Sequence, residues 1–370
     1  YNEYFLQILQ AQLFISNLSQ VNGLMDGQIL GEDASIFVKG KNLLSSYELD
    51  FSTQIPLQTE DIFPQSFLGK LSGKDIFYLE LAVGENLLPR LNIFSDLKNI
   101  QFDSNFSFLS KKKSSTLPTQ IVLSNFSKPA LFLSNELMEL NLNSLQSLEG
   151  HLVIGGELPP KFSYLKQAPG LNIYLALDLL TSKMIDSWPS PQASIPRQPI
   201  QNFIVDIQNL EILGNQYNEV TGIFSIGESS VKGQIESSKL NVKLNQDNSG
   251  FLKLEFNNTH IQDAHFLSAH TTSGNMPKLN ARIIAENSSL GELKIKSLDM
   301  YLLKNKNITT FNNINLSSNF LSISPLSDQS NAYFSIDDRL KLFKLKGKYL
   351  MKDSSRIPVI QNLANFSYFN

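Results

Sequence analysis

Tyr47-Glu48-Leu49-Asp50-Phe51-Ser52-Thr53-Gln54-Ile55 alternates from residue to residue. Tyr47, Leu49, Phe51, Thr53 and Ile55 fall on one side, and Glu48, Asp50, Ser52 and Gln54 on the other. Successive strand side chains point to opposite faces, so this stretch reads as a strand with one oily face and one wet face. The same period returns at Phe77, Leu79, Leu81, Val83, and again at Leu171, Ile173, Leu175, Leu177. It returns once more at Leu240, Val242, Leu244 and at Leu252, Leu254, Phe256. A sheet must bury its oily face against something, and this sequence offers little helix to cover it.

Working outward, the pattern predicts strands near 34–39, 46–55, 76–83, 91–95, 101–108, 119–124, 130–134, 137–143, 148–154 and 171–177. Beyond residue 200 it predicts them near 202–207, 210–213, 221–226, 231–236, 239–245, 251–256, 279–285, 292–303, 311–316, 320–323, 332–336 and 340–350. Tyr4 to Leu18 is apolar without a sharp period and fits a helix or paired strands. Lys111-Lys112-Lys113-Ser114-Ser115-Thr116 reads as an exposed loop. Gly155-Gly156, Pro159-Pro160 and Pro169-Gly170 read as turns. Leu179, Leu180, Met184, Ile185 and Trp188 have helical spacing, so Asp178 to Trp188 reads as a helix stopped by Pro189. Shorter helices are expected near 262–269 and 358–364. Pro189, Pro191, Pro196 and Pro199 crowd one span, which reads as an extended linker.

The chain thus divides into a β segment 1–188 ending in a short helix, a Pro-rich linker 189–199, and a second β segment 200–370 continuing the sheet. Short, even spacing with Asn, Gly, Asp or Ser at the corners reads as an antiparallel meander. A loose internal echo links Pro199 leading into Phe203, Val205, Ile207 with Pro277 leading into Leu279, Ala281, Ile283.

Composition narrows the function classes. At 370 residues there is room for a large core or for two to three ordinary domains. Hydrophobic content of 42% is that of a folded protein, whereas charged content of 18% is low beside the usual ~25%. A net charge of -3 gives no electrostatic case for nucleic acid or an anionic membrane surface. The chain has no cysteine, which excludes disulfides, thiolate catalysis and cysteine metal sites. No run approaches the ~18 apolar residues of a membrane span, and no signal peptide is legible. The sequence opens and closes in mid-pattern, so a fragment of a longer protein is expected, with any anchor outside it.

Two sheets packed as a sandwich, or one closed as a barrel, would hide the oily face. Long strands and turns without dense glycine weigh toward a third arrangement, a long sheet curled around an oily groove. Such a groove needs a guest, because apolar patches beyond a few hundred Å² are unusual on a soluble monomer. A lipid tail fits. Exposing one methylene to water costs ~0.8 kcal/mol, so a tail of ~15 methylenes costs on the order of 12 kcal/mol to carry through water.

The segment Leu145-Gln146-Ser147-Leu148-Glu149-Gly150-His151-Leu152-Val153-Ile154-Gly155-Gly156 adds a resemblance. It is followed by Pro169-Gly170-Leu171-Asn172-Ile173 and by Leu177-Asp178 through Ser187-Trp188. In that order these stretches resemble the YhdP-type branch of the AsmA-like proteins of Gram-negative bacteria. Leu88-Pro89-Arg90-Leu91-Asn92-Ile93-Phe94-Ser95-Asp96-Leu97 and the strand from Pro199 to Ile207 resemble that family as well. The likeness is diffuse over most of the chain and sharpest over 85–210, and none of it is a catalytic motif. It implies a periplasmic protein anchored in the inner membrane by a helix absent from this sequence. It further implies a bridge-like lipid transfer protein that moves phospholipid between inner and outer membranes.

Chemical constellations are sparse. His260, His265 and His270 are spaced by five, which suits no single helical face, and His151 stands apart, so core or surface roles fit better than a metal site. Asp337-Asp338 and Asp26-Gly27 read as turn residues rather than calcium or acid–base carboxylates. No Gly-x-Ser-x-Gly elbow is present, and Gly155-Gly156 lacks the Lys and Ser/Thr of a phosphate loop. Asn105-Phe106-Ser107 and Asn315-Leu316-Ser317 are glycosylation triplets of the kind an Asn- and Ser-rich chain holds by chance. Lys341, Lys344, Lys346 and Lys348 read as the guarded face of an edge strand. Trp188 reads as a core anchor at a helix end.

The expectation is a mainly β protein: an elongated, twisted antiparallel sheet curled into a hydrophobic groove, with a few short helices. It is expected to be non-enzymatic, without metal or cofactor, and to conduct phospholipid acyl chains. The expected groove lining is Leu49, Phe51, Leu79, Leu81, Leu175, Leu177, Val205, Val242, Leu244, Leu254 and Phe256. Partners would be the two membranes and other envelope proteins. The alternative is a structural or scaffold β-sandwich protein of the envelope. A glycan hydrolase has no paired-carboxylate motif behind it.

Overall fold

The computed structural model describes residues 6–16, 20–41, 46–59, 69–104, 109–186, 200–212, 214–227, 230–261, 279–305, 308–325, 332–337 and 342–351. The fold is mainly β, with two short helical segments among the described residues. The chain forms two compact units, Tyr1–Leu175 with Lys183–Ile200, and Ala176–Ser182 with Gln201–Asn370. The proposed linker 189–199, Trp188, the helices expected at 262–269 and 358–364, His265, His270, Asp338 and Lys341 lie outside the described residues.

The first unit holds β1 (Leu6–Ser16), β2 (Gln20–Ile29), β3 (Glu32–Lys41), β4 (Glu48–Gln58), β5 (Gly69–Ser72), β6 (Lys74–Gly84) and β7 (Leu87–Ser95). It continues through β8 (Gln101–Ser104), β9 (Thr119–Ser124), β10 (Ala130–Ser134), β11 (Met138–Ser144), β12 (Glu149–Ile154) and the start of β13 (Leu171–Thr181), whose residues from Ala176 on belong to the second unit. β1, β2, β3, β4, β6, β7, β9, β10, β11 and β12 pair in that order, each antiparallel to the next. β5 and β8 form a separate two-stranded sheet. The meander ends with β12 and β13, which run parallel.

The strand β2 alternates in burial, with Val21, Met25 and Ile29 inward, but glycine at Gly23 and Gly27 on the inner face and Leu24 on the outer one hide the period in the sequence. Asp26 and Gly27, expected in a turn, lie in its middle. Gly23 is needed there: a β-carbon would sit 2.6 Å from a methyl of Leu13 and 2.4 Å from the Gln12 carbonyl oxygen. The ambiguous stretch before it, read as helix or paired strands, is β1.

A parallel neighbour requires a crossover, and residues 155–170 supply it. A 3-10 segment, Pro160–Lys166, buries Phe162 and Leu165, with Phe162 set 5.8 Å from the Tyr174 ring. Asn172, fully buried, donates its side-chain amide to the carbonyls of Ala168 (2.9 Å), Gly170 (3.2 Å) and Gly150 (3.3 Å). Asn172 and Tyr174 alternate with Leu171, Ile173 and Leu175 along β13. The crossover therefore packs on one face of that strand and leaves the leucine face to the other side.

The helix expected from Asp178 to Trp188 is corrected. β13 runs on to Thr181, and only α1 (Ser182–Asp186) is helical. Tertiary pairing overrides the local spacing. Leu177 and Leu180 are buried, and the Asp178 carbonyl accepts a 3.2 Å hydrogen bond from the Asn209 amide.

The second unit holds β14 (Ile200–Ile212), β15 (Asn215–Ile226), β16 (Val231–Glu236), β17 (Asn241–Gln246), β18 (Leu252–Asn257), β19 (His260–Ile261) and β20 (Leu279–Leu290). β21 (Leu293–Asn305), β22 (Ile308–Ser318), β23 (Leu321–Ser324), β24 (Tyr333–Asp337), β25 (Leu342–Lys346) and β26 (Lys348–Met351) complete it. β14 to β18 form a five-strand antiparallel meander, and β20 then joins β18 and β19 in parallel. β20, β21 and β22 pair antiparallel. β22 then splits its pairing between β23 and β24, which pair with β26 and β25. The two echo stretches after Pro199 and Pro277 are β14 and β20, 13 and 12 residues long.

This sheet curls. β19 follows β18, three strand spacings from β15, roughly 14 Å on a flat sheet. The Tyr217 hydroxyl of β15 nevertheless reaches the His260 carbonyl at 3.5 Å. Left-handed residues inside long strands mark bends, at Glu219 in β15 (φ 52°), Asn287 in β20 (φ 47°) and Asn313 in β22 (φ 53°). Such irregularities bend a strand and raise its twist.

Candidate functional site

The strand register assembles the oily residues into rows that cross the strands. In the first unit one row runs Leu13, Gly23, Val38, Phe51, Leu81, Leu91, Leu123, Leu131, Leu142, Gly150, Leu171. The row beside it runs Thr53, Leu79, Ile93, Ile121, Leu133, Leu140, Leu152, Ile173. In the second unit one row runs Val205, Gly222, Ile235, Val242, Phe256, Ala285, Leu298, Leu316. Its neighbour runs Phe203, Phe224, Gly233, Leu244, Leu254, Ile283, Met300. No charged residue interrupts any of the four rows. Each unit therefore carries an apolar lane whose direction crosses the strands.

The lanes are not sealed. Phe203, Phe224, Leu244, Leu254, Phe256, Ile283, Leu298, Met300 and Leu302 are each half-buried, as are Ile121, Leu123, Leu131, Leu133, Leu140, Leu152 and Ile173. A second layer packed over the face would bury them. Packing is closed at particular places. Met25, Ile29, Ala34, Ile36, Val38, Ile55, Leu57 and Phe77 form a buried cluster, with Leu97 packed against it. In the second unit Ile207, Leu210, Tyr217, Val220 and Leu240 are buried. Burial also pushes the Tyr217 phenol above its usual range.

Two glycines keep the second lane smooth. Phe224 stacks with Phe203 at 6.1 Å, and its ring lies over the strand beside it. A β-carbon on Gly233 would meet that ring at 2.3 Å, and one on Gly222 would sit 2.8 Å from Val205.

In the second unit charged pairs line the opposite face, whereas in the first unit that face also shows Leu24, Phe37, Ile76 and Tyr78 to solvent. Arg282 grips Asp299 with two hydrogen bonds, 2.9 and 2.7 Å, and its guanidinium lies 5.5 Å from the Tyr301 ring centre. The guanidinium holds the Asp299 carboxyl below the usual carboxylate range. Lys253 pairs with Glu255 along β18. An open hollow of about 480 Å³ lies among Lys232, Gln234, Lys243, Asn245 and Glu255. Its charged lining does not suit an acyl chain.

The expected lining residues fall as follows. Leu49 and Phe51 lie on β4 opposite Val83 and Leu81, and Leu79 and Leu81 lie on β6. Leu175 and Leu177 lie on β13 and are buried. Val205, Val242, Leu244, Leu254 and Phe256 share the apolar face of the second unit, Val242 buried and the rest half-buried. Sequence reasoning missed Leu91, Ile93, Ile121, Leu123, Leu131 and Leu133, which lie on β7, β9 and β10, where apolar Phe94, Val122 and Phe132 on the other face blur the alternation. Register brings them into the lane.

The polar candidates dissolve into structural roles. His151 is buried and lies 3.2 Å from Glu139, and His260 meets the Ser289 hydroxyl at 2.9 Å. Among the described residues no group of three or more His, Cys, Asp or Glu could hold a metal ion. Among them, too, no helix is long and apolar enough to cross a membrane. Lys111, expected on an exposed loop, is buried, while Lys112 to Thr116 are exposed. A backbone bridge between Phe102 and Lys111 turns it inward, and its ammonium donates to the Ile100 carbonyl at 2.7 Å. Burial pulls its pKa below the usual lysine range.

The chain matches no protein-family model, no curated protein and no solved structure.

Proposed function

We propose that this chain is a non-enzymatic lipid conduit, a segment of an envelope protein that carries phospholipid acyl tails along its apolar lanes. The observation that carries the reading is the uncharged rows crossing seven or more strands, with side chains half-buried by the protein itself. Leaving them so exposes apolar surface at ~25 cal/mol per Å², a cost that a hydrophobic guest offsets. Tails would lie on the lane while headgroups stay in water. The likeness to YhdP-type AsmA-like proteins adds the compartment: the periplasm of a Gram-negative bacterium, with both membranes, and other envelope proteins, as partners.

A photo-crosslinking residue at Leu244 or Phe256 is expected to capture phospholipid in cells, far above the same residue at Lys243 or Glu255. Equal capture from both faces would sink the proposal. A structural or scaffold role is the second reading, and the sealed cluster around Ile55 and Phe77 favours it for that end of the first unit. Native mass spectrometry separates the two, because a scaffold gives the bare protein mass and a conduit co-purifies with lipid.

A further inference from the structure

The hollow on the charged face of the second unit lies over β16, β17 and β18, and four of its positions form a square. Register sets Lys232 beside Asn245 and Gln234 beside Lys243, two neighbouring pairs on one face of β16 and β17. The lysines occupy one diagonal, with their β-carbons roughly 7–8 Å apart, and the amides occupy the other. All four line the hollow of about 480 Å³. A second hollow, of about 550 Å³, opens beside it at the β17–β18 turn and shares Lys232 and Asn245.

The carboxylates nearby are already engaged. Glu255, opposite Lys243 on β18, pairs with Lys253, and Glu236 accepts a hydrogen bond from the Gln234 amide. Lys232 and Lys243 are exposed, and among the described residues neither ammonium has an ion-pair partner. Like charges held on neighbouring strands repel. Here they converge on a concave surface, in a chain whose net charge is -3.

We infer that this square is a binding site for a phosphate group. A phosphate turns its oxygens in several directions and meets two ammoniums and two amide donors at once. Lysine holds phosphate as a point charge on a flexible stem, so Lys232 and Lys243 can close on one group from opposite corners. The site lies across the sheet from the apolar lane, because Gly233 and Leu244 of the lane alternate with these four residues along β16 and β17. A lipid with its tails in that lane therefore cannot bring its own headgroup here. The phosphate belongs to a water-borne molecule or to the headgroup of a lipid in a facing bilayer. Nothing in this site depends on the lane carrying lipid.

Isothermal titration of the full chain with inorganic phosphate, at ionic strength held constant with sodium chloride, is expected to show saturable binding at one site. Phosphate should also raise the melting temperature, as a ligand of the folded state does. The double variant Lys232→Gln/Lys243→Gln replaces two exposed side chains. It should keep the wild-type circular dichroism and phosphate-free melting temperature while weakening binding at least tenfold. Lys294→Gln/Lys296→Gln makes the same change of charge at two exposed positions of β21 and should bind as the wild type does. Absence of saturable binding overturns the proposal. So does equal weakening by the two double variants, which marks a response to net charge alone. Two further ligands separate the sources of the phosphate. Competition by glycerol phosphate without binding to vesicles assigns the site to a water-borne molecule. Flotation with vesicles of phosphatidylglycerol and phosphatidylcholine, lost in Lys232→Gln/Lys243→Gln, assigns it to a membrane headgroup.

Discussion

Single positions carry much of the backbone specification. Gly150 adopts φ 151°, and a β-carbon there would lie 1.9 Å from the Asn141 carbonyl oxygen. Gly150→Ala is therefore expected to destabilise the first unit by about 2 kcal/mol or more, read from urea unfolding. Glu219 is held at φ 52°, a conformation costing an L-residue about 1–2 kcal/mol. Glu219→Gly relieves that strain against the entropy of glycine, and a net gain of about 0.5–1 kcal/mol is expected in the same measurement. Asn287 and Asn313 sit in the same conformation with a residue that tolerates it. Faces are legible at this scale: Leu49, Phe51, Leu244 and Leu254 declare theirs through alternation with charged neighbours. The burial of Lys111 is not, because it follows from a bridge to Phe102, nine residues away, that leaves no local pattern.

Elements tell where local reading gives way to pairing. Leu179, Leu180 and Met184 have helical spacing, yet β13 takes the first two because a strand partner is at hand. The parallel joins are hidden for a related reason. Fifteen or so residues between strands suit several connections, and only the packed crossover shows which one forms. Asn172 holds that crossover through a fan of carbonyls. Asn172→Ala should cost about 1–3 kcal/mol by stranding buried acceptors, with the loss greatest in hydrogen-exchange protection of residues 160–170. On the polar face the Arg282–Asp299 pair predicts a modest acid effect. The Asp299 carboxyl is held below its ordinary value of 3.8. Its contribution is complete above that value and fades as pH falls through the lowered one. Both partners are more than a third exposed, so Asp299→Asn should remove no more than ~1 kcal/mol at neutral pH and flatten the unfolding profile below about pH 4.

Across the whole molecule, the contrast between sealed and open packing is the measurable quantity. Ile55 is fully buried, and Ile55→Ala should cost about 2–4 kcal/mol. Leu254→Asn, on the half-buried lane, should cost about 1 kcal/mol or less while abolishing lipid capture at Leu244. Delipidation should lower the melting temperature of the wild-type chain, because a ligand bound only by the folded state stabilises it. The Leu254→Asn variant should show no such difference. Mainly β architecture is readable from period two alone; alternation looks the same beneath a second layer, so the open oily face is expected from long strands and glycine-poor turns rather than from the period. The join between β18 and β20 carries one more consequence. Five antiparallel strands in a row would end pointing the same way as they began, and a hairpin would then start the next block reversed. A parallel join restores the starting direction, so β14 and β20 run alike. A gene could thus copy or delete such a block without turning the oily side outward, and the protein's reach could be retuned in fixed increments over evolutionary time.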